Sequence, residues 1–314
     1  MIVDSSLLLI RDLSVEFPGP GGSIRAVDRV DLEIEKGERV ALVGETGSGK
    51  SVLLLSLLRL LPAGARIAGE IWYKGRNLLR LSEDELCRIR GRELAYIPQG
   101  TGNALNPVLT VGIQVAEPLI VHLGFKKRPA LAKAVSLLGQ LGIPEAHKRA
   151  FEYPHQYSGG MKQRVLVAMG AAAEPQVLLA DEPTKGVDWE RREEIINLFQ
   201  SLAEKTILTV THDLCFAEKF AQKVAVMYAA QIVEVAPRAE FFRQPLHPYA
   251  QALLAALPPR GLRPLAGYAP EHASYGEPGC RFRKRCPRAF HHCQAEPPLL
   301  EQNGRQVRCW LYVS

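Results

Sequence analysis

Gly44-Glu45-Thr46-Gly47-Ser48-Gly49-Lys50-Ser51 follows the short apolar run Arg39–Val43 and opens a helical pattern over residues 50–61 that Pro62 stops. A buried strand, a glycine-rich turn and a helix, in that order, build a phosphate loop. Gly44, Gly47 and Gly49 let the backbone wrap an anion with its N–H groups turned inward. The helix that follows points its positive end at the same place. Lys50 supplies a charge for the β- and γ-phosphates, and Ser51 offers a hydroxyl to Mg²⁺. Glu45, Thr46 and Ser48 complete the cradle. The ligand this predicts is a nucleoside triphosphate, ATP first among them. A glycine-rich turn before a helix would not by itself place Lys-Ser at this spacing.

Working outward, residues 7–17 alternate as a strand, and a second strand falls near 27–34. Ser82-x-x-Glu85 fits a capping box for a helix through Arg90. Residues 94–97 are strand-like, residues 129–141, 144–152 and 159–173 helical, and 177–180 and 207–211 buried strands flanking a charged helix over 189–204. The alternation predicts an α/β fold, a mostly parallel sheet covered by helices. After residue 236 prolines punctuate the chain, so a boundary is placed there: 1–236 as the nucleotide domain and 237–314 as an extension.

Apolar residues make up 47% of the 314, which excludes a disordered chain, and the net charge of +6 is too mild for a nucleic-acid footprint. The apolar stretch 52–61 is about half the length of a membrane span, and residues 1–11 lack the basic flank of a secretory signal. The chain reads as soluble and cytoplasmic, reaching a membrane only through a partner.

Val177-Leu178-Leu179-Ala180-Asp181-Glu182 is an apolar strand ending in two acids. A carboxylate there can hold the Mg²⁺ shell, and its neighbour can polarise an attacking water. Acids in the first turn of a helix would look similar. The surrounding sequence separates the two readings.

Ser158-Gly159-Gly160-Met161-Lys162-Gln163 resembles the signature of ABC transporter ATPases. Phe17, the phosphate loop, Gln99, that signature, Asp181-Glu182, Asp188 and Thr211-His212-Asp213 follow in the family's order. The resemblance implies an ABC-type P-loop fold with an antiparallel β edge and a helical signature subdomain at about 100–172. It also assigns roles. Phe17 stacks on adenine, and Gln99 reaches Mg²⁺ and water. Glu182 is the general base, His212 contacts the γ-phosphate, and Asp188 belongs to a loop that touches the partner. Ser158, Gly159 and Gly160 close over ATP held by a partner subunit. Tyr153-Pro-His-Gln-Tyr157, Leu246-His-Pro-Tyr249 and the Cys-rich tail resemble the oligopeptide, dipeptide and nickel importers, and Met161 resembles the first of their two paralogous ATPases. That implies a heterodimer with the second ATPase, two permeases, an extracytoplasmic binding protein, and a place on the cytoplasmic face of the membrane. A soluble ABC-type ATPase acting on nucleic acid or ribosomes is the alternative, but such chains carry two cassettes or coiled-coil insertions. Two departures stand out: Gly100-Thr101 where the family has Asp-Pro, and Lys185-Gly186 before Asp188.

Cys280, Cys286, Cys293 and Cys309 are separated by five, six and fifteen residues, unlike paired C-x-x-C zinc knuckles. Four thiolates can hold a [4Fe–4S] cluster, and the resemblance points the same way. Zinc, or four unligated thiols, are the other readings. Arg281, Arg283, Lys284, Arg285 and Arg288 are expected to offset thiolate charge, and His291 and His292 to lie on the surface.

Overall fold

A computed structural model describes residues 6–19, 22–100, 104–186, 189–202 and 204–313. The strands are β1 (Ser6–Gly19), β2 (Gly22–Glu35), β3 (Arg39–Val43), β4 (Arg66–Tyr73), β5 (Arg76–Asn77), β6 (Leu94–Ile97), β7 (Val177–Asp181), β8 (Thr206–Thr211), β9 (Lys223–Tyr228), β10 (Gln231–Pro237), β11 (Leu299–Gln302) and β12 (Arg305–Arg308). The helices are α1 (Lys50–Leu57), α2 (Glu83–Ile89), α3 (Val111–Leu123), α4 (Lys127–Gln140), α5 (Ala146–Arg149), α6 (Gly159–Ala171), α7 (Trp189–Gln200), α8 (Leu214–Phe220), α9 (Arg238–Arg243) and α10 (Pro248–Ala255). The chain falls into two compact units, one of residues 1–79 with 211–314 and one of residues 80–210.

In the first unit, β1 pairs antiparallel with β2 and β4, making a sheet in the order β2-β1-β4-β5. Leu8, Ile10, Leu13 and Val15 of β1 are fully buried. The unit also holds the run β11-β12-β10-β9-β3. β3 lies parallel to β9, with Val43 opposite Val226, and the remaining pairs are antiparallel. Four of the five β3 residues are buried, as a strand covered on both faces requires. β3 therefore delivers Gly44 beside Met227.

Helix α1 stops at Leu57, short of the expected end at Pro62. Arg59 takes φ 50. Its N–H donates to the Ser56 carbonyl at 3.0 Å, and the Leu60 N–H donates to the Leu55 carbonyl at 3.0 Å. That Schellman closure satisfies the carbonyls of the last turn before proline is reached.

In the second unit, β6, β7 and β8 are parallel neighbours. Every residue of β7 and β8 is buried. Ser82 caps α2 in the capping box read from the sequence. α3 was not legible, because Pro118 sits inside it. Its start is secured by Gln114, whose side chain accepts from the Asn106 N–H and donates to the Asn106 and Leu109 carbonyls. The helix expected over 144–152 is shorter, only α5.

Candidate functional site

The loop at residues 44–51 is shaped by close approach. A Cβ on Gly44 would stand 2.1 Å from the Met227 carbonyl oxygen, and one on Gly49 2.0 Å from that of Ala26. Both glycines have positive φ, 157° and 102°, so glycine is required twice over. Gly49 is the N-cap of α1. The Lys50 ammonium folds back to donate to the Gly44 and Glu45 carbonyls, each at 2.9 Å. Ser51 follows in the first turn. The Ser48 hydroxyl is buried without a hydrogen-bond partner among the described residues. Backbone amides, a helix N-terminus and an ammonium so gathered form an anion site.

Phe17 lies near the end of the β1–β2 hairpin, opposite Ile24. It is half-buried, so it is no strand-core residue, and with Pro18, Ser23, Gly64 and Arg66 it lines a cleft of about 670 Å³. The partner strand passes Gly49 at Ala26, two residues beyond Ile24, a step of about 7 Å along a strand. The β1–β2 pair that carries Phe17 therefore also runs past the phosphate cradle. His212 is exposed at the turn between β8 and α8. Its neighbours fix that turn: the Asp213 N–H donates to the Thr211 hydroxyl at 2.9 Å, and the Asp213 carboxylate caps α8 at the Phe216 N–H at 3.0 Å. The Thr-His-Asp order thus presents the histidine while flanking residues hold the backbone.

In the second unit, Asp181 ends β7, buried, and accepts from the Tyr96 hydroxyl at 3.2 Å. Burial, then the neighbouring carboxylate, push the Tyr96 hydroxyl well above its ordinary range, so it stays a donor. Glu182 is also buried and takes φ 49. That left-handed backbone costs a non-glycine residue about 1–2 kcal/mol. It is held by the Glu182 N–H donating to the Val210 carbonyl at 2.8 Å and by the Lys185 N–H donating to the Glu182 carbonyl at 3.0 Å. Gln99 is exposed beyond β6. Ser158 caps α6 through the Met161 N–H at 3.3 Å, leaving Ser158 and Gly159 exposed at the helix start. Gly186 takes φ 74, a conformation glycine adopts freely, and its carbonyl lies 4.0 Å from the Cβ position of Gly159. Asp188 and Thr101 lie outside the described residues.

The first unit thus carries the phosphate loop, Phe17 and His212, and the second Gln99, Ser158–Gly160, Asp181 and Glu182. Sequence reasoning missed Tyr96, and it missed the tail residues that reach the loop. The Glu45 N–H donates to the Tyr249 hydroxyl at 2.9 Å, and the Glu45 carboxylate accepts from Arg285 at 3.0 Å. The Leu246-His-Pro-Tyr249 segment had been singled out only by resemblance. It starts α10, with His247 as N-cap accepting the Tyr249 N–H at 3.0 Å through Nδ1.

Cys280, Cys286, Cys293 and Cys309 line one tight cavity of about 10 Å³ with His247, Phe282 and Trp310. The backbone N–H groups of Phe282, Arg288 and Leu311, each two residues on, act to lower the thiols of Cys280, Cys286 and Cys309. Burial, together with the neighbouring thiols, raises these thiols, Cys280 to about 11. Four thiols on one cavity match in kind the donors of a group that takes all four as thiolates. As the side chains stand, no group of three or more His, Cys, Asp or Glu among the described residues is disposed to hold a metal ion. The expected basic surround needs correction. Arg288 does act on Cys286 and Cys309. Arg281, however, pairs with Asp28, Arg283 and Lys284 with Glu277, and Arg285 with Glu45. Each answers a carboxylate. His291 and His292 are exposed.

A buried strand, a glycine loop carrying Lys50 and Ser51 at a helix N-terminus, and a separate buried strand ending in Asp181 and Glu182 define a P-loop nucleotide-binding protein. The model of the ABC transporter family matches residues 27–185, and that of the oligopeptide/dipeptide transporter C-terminal region matches residues 233–293. The oligopeptide transport ATP-binding protein AppD of Bacillus subtilis is 41% identical, over 98% of this chain and 97% of its own. The dipeptide transport ATP-binding protein DppD of Escherichia coli is 42% identical, over 97% and 96%. The ATP-binding cassette MJ0796, solved as a dimer in a post-hydrolysis state bound to ADP and Pi, superposes with a TM-score of 0.66 at 28% identity, covering 74% of this chain and 98% of that one. The chain belongs to the ABC transporter family, as an ATP-binding cassette ATPase with the C-terminal region of oligopeptide and dipeptide transporters.

Proposed function

We propose that this chain is the ATP-hydrolysing subunit of a peptide importer. One observation carries the reading: a phosphate loop wound at the N-terminus of α1 sits in a chain that aligns over nearly its whole length with peptide-transport ATP-binding proteins. Lys50 and the loop amides hold the β- and γ-phosphates, and Ser51 and Asp181 serve Mg²⁺. Glu182 takes a proton from the attacking water, Gln99 orients that water, and His212 contacts the γ-phosphate. Phe17 stacks on adenine. Ser158, Gly159 and Gly160 offer an exposed helix start to ATP on a partner ATPase, the second paralogue, and Asp188 lies in the loop that meets it. The relatives' names favour peptides over nickel as cargo.

Coupling to transport runs through partner permeases, a reading supported by the likeness to peptide-transport ATP-binding proteins; no helix among the described residues is long and apolar enough to cross a membrane. Exposed Val108, Leu109, Ile113, Phe151 and Tyr153 supply an apolar surface for the permeases. They lie on adjoining segments, since the Val111 N–H donates to the Glu152 carbonyl at 2.9 Å. A peripheral position on the cytoplasmic face follows, with an extracytoplasmic protein bringing substrate. Residues 237–314 form the extension that carries the thiol site. There, Cys280, Cys286, Cys293 and Cys309 would hold a [4Fe–4S] cluster, which supplies a redox-active or structural centre when bound. Anaerobic purification with iron and sulfide analysis tests this, and stoichiometric zinc without iron overturns it.

The function itself is tested by co-purifying the chain with its permeases and measuring labelled dipeptide uptake into proteoliposomes. ATP-dependent uptake lost in Lys50→Ala is the expected result. A complex that hydrolyses ATP with no permease attached and no peptide uptake overturns it.

A further inference from the structure

The C-terminal region meets the phosphate loop at three points. The Tyr249 hydroxyl, fully buried on α10, accepts the Glu45 N–H at 2.9 Å. Arg285, with 7% of its side chain exposed, holds the Glu45 carboxylate at 3.0 Å and also donates to the Tyr228 hydroxyl at 3.3 Å. The His272 ring comes within 3.8 Å of the Cβ position of Gly47. Behind these contacts the rings of Tyr228, Tyr249 and Phe282 pack at centroid distances of 4.4 to 5.5 Å.

Glu45 is the second residue of the loop. Left unpaired, its carboxylate would stand beside the cradle and repel a triphosphate. Left without an acceptor, its N–H would let the start of the loop relax. Resting on the reading of this loop as the ATP site, we propose that Tyr249 and Arg285 are positioning residues for ATP: together they hold Glu45 aside and pre-organise the loop before nucleotide arrives. Their contribution falls on ground-state binding, because each acts on the loop through Glu45 and not on the reacting atoms.

The test measures the Kd of a fluorescent ATP analogue on the full chain, and KM against kcat for ATP in the assembled transporter. Tyr249→Phe, which keeps the ring, and Arg285→Gln each raise Kd and KM about three- to tenfold, the weight of one hydrogen bond or one screened charge. The kcat at saturating ATP stays within about twofold. Arg285→Lys recovers part of the affinity. In a Glu45→Gln background, Arg285→Gln adds no further loss, a non-additivity that general destabilisation would not give. Unchanged Kd in Tyr249→Phe and Arg285→Gln, with Lys50→Ala abolishing binding, overturns the proposal. If Lys50→Ala itself binds ATP normally, the ATP-site reading is what fails.

Discussion

Replacing Arg305 by methionine isolates a charge in the protein interior. Glu234 on β10 is wholly buried, and Arg305 on β12 is 8% exposed. Arg305 donates to Glu234 and to the Gln244 carbonyl, both at 2.8 Å. The Glu234 carboxylate also accepts the Leu246 N–H at 2.9 Å and the His247 N–H at 2.7 Å, so the pair fixes the start of α10, which carries Tyr249 to the phosphate loop. Arg305→Met leaves the carboxylate buried with only backbone donors. Removing one partner of a buried pair costs about 3–5 kcal/mol, and the two surviving backbone bonds place the loss near the lower end. With an unfolding entropy of about 2.1 cal/mol/K per residue, melting of this chain falls by about 5 °C. Burial already holds the Glu234 carboxyl above its usual range against these hydrogen bonds, and loss of Arg305 raises it further. A carboxyl whose folded pKa exceeds its unfolded value destabilises above that pKa and is relieved as pH falls through it. The gap between wild type and variant, measured by urea denaturation across pH, should therefore narrow toward acid, and adding Glu234→Gln should recover much of it. A variant within about 0.5 kcal/mol of wild type, the range of ordinary surface changes, would refute the reasoning.

His247 is buried, and burial depresses its imidazole to about 3. The unfolded chain takes up this proton below about 6.5, so stability falls as pH drops from there toward 3, by up to about 1.4 kcal/mol per pH unit. His247→Asn, which keeps a capping oxygen, should flatten that slope in equilibrium unfolding. Phe17→Ala should weaken ATP binding by about 1–3 kcal/mol, the worth of a base–aromatic stack, and shift inorganic triphosphate binding far less in a competition assay. Cys286→Ser, next to Arg285, should raise the ATP Kd in the same direction as Arg285→Gln, read by the same fluorescent analogue.

What the sequence disclosed was local chemistry. The phosphate loop, Asp181-Glu182, Ser158-Gly159-Gly160 and Thr211-His212-Asp213 are short segments whose residue types mark them as candidates, and β3, β7 and β8 fall where the apolar runs put them. Long-range partners were closed to it. Tyr249 is 204 positions from the Glu45 it touches, and Arg285 is 240. Basic residues crowded around the cysteines read as counter-charges to thiolate. Folding instead brought Asp28, Glu45 and Glu277 to most of them, and only three-dimensional structure decides between local and distant partners. The end of α1 failed for a different reason. Proline is a strong stop signal, but an arginine in the left-handed region closed the helix earlier, a choice that residue type does not announce.

In the proposed function, Glu182 is the residue that turns a nucleotide-binding loop into a transport engine. Glu182→Gln, made in the complete transporter and followed by ATP binding, phosphate release and dipeptide uptake together, tests it most directly. ATP should be retained with near wild-type affinity, while phosphate release falls by at least about a hundredfold, the lower range for a lost general base, and uptake stops with it. Hydrolysis and uptake at wild-type rates in Glu182→Gln would contradict that role.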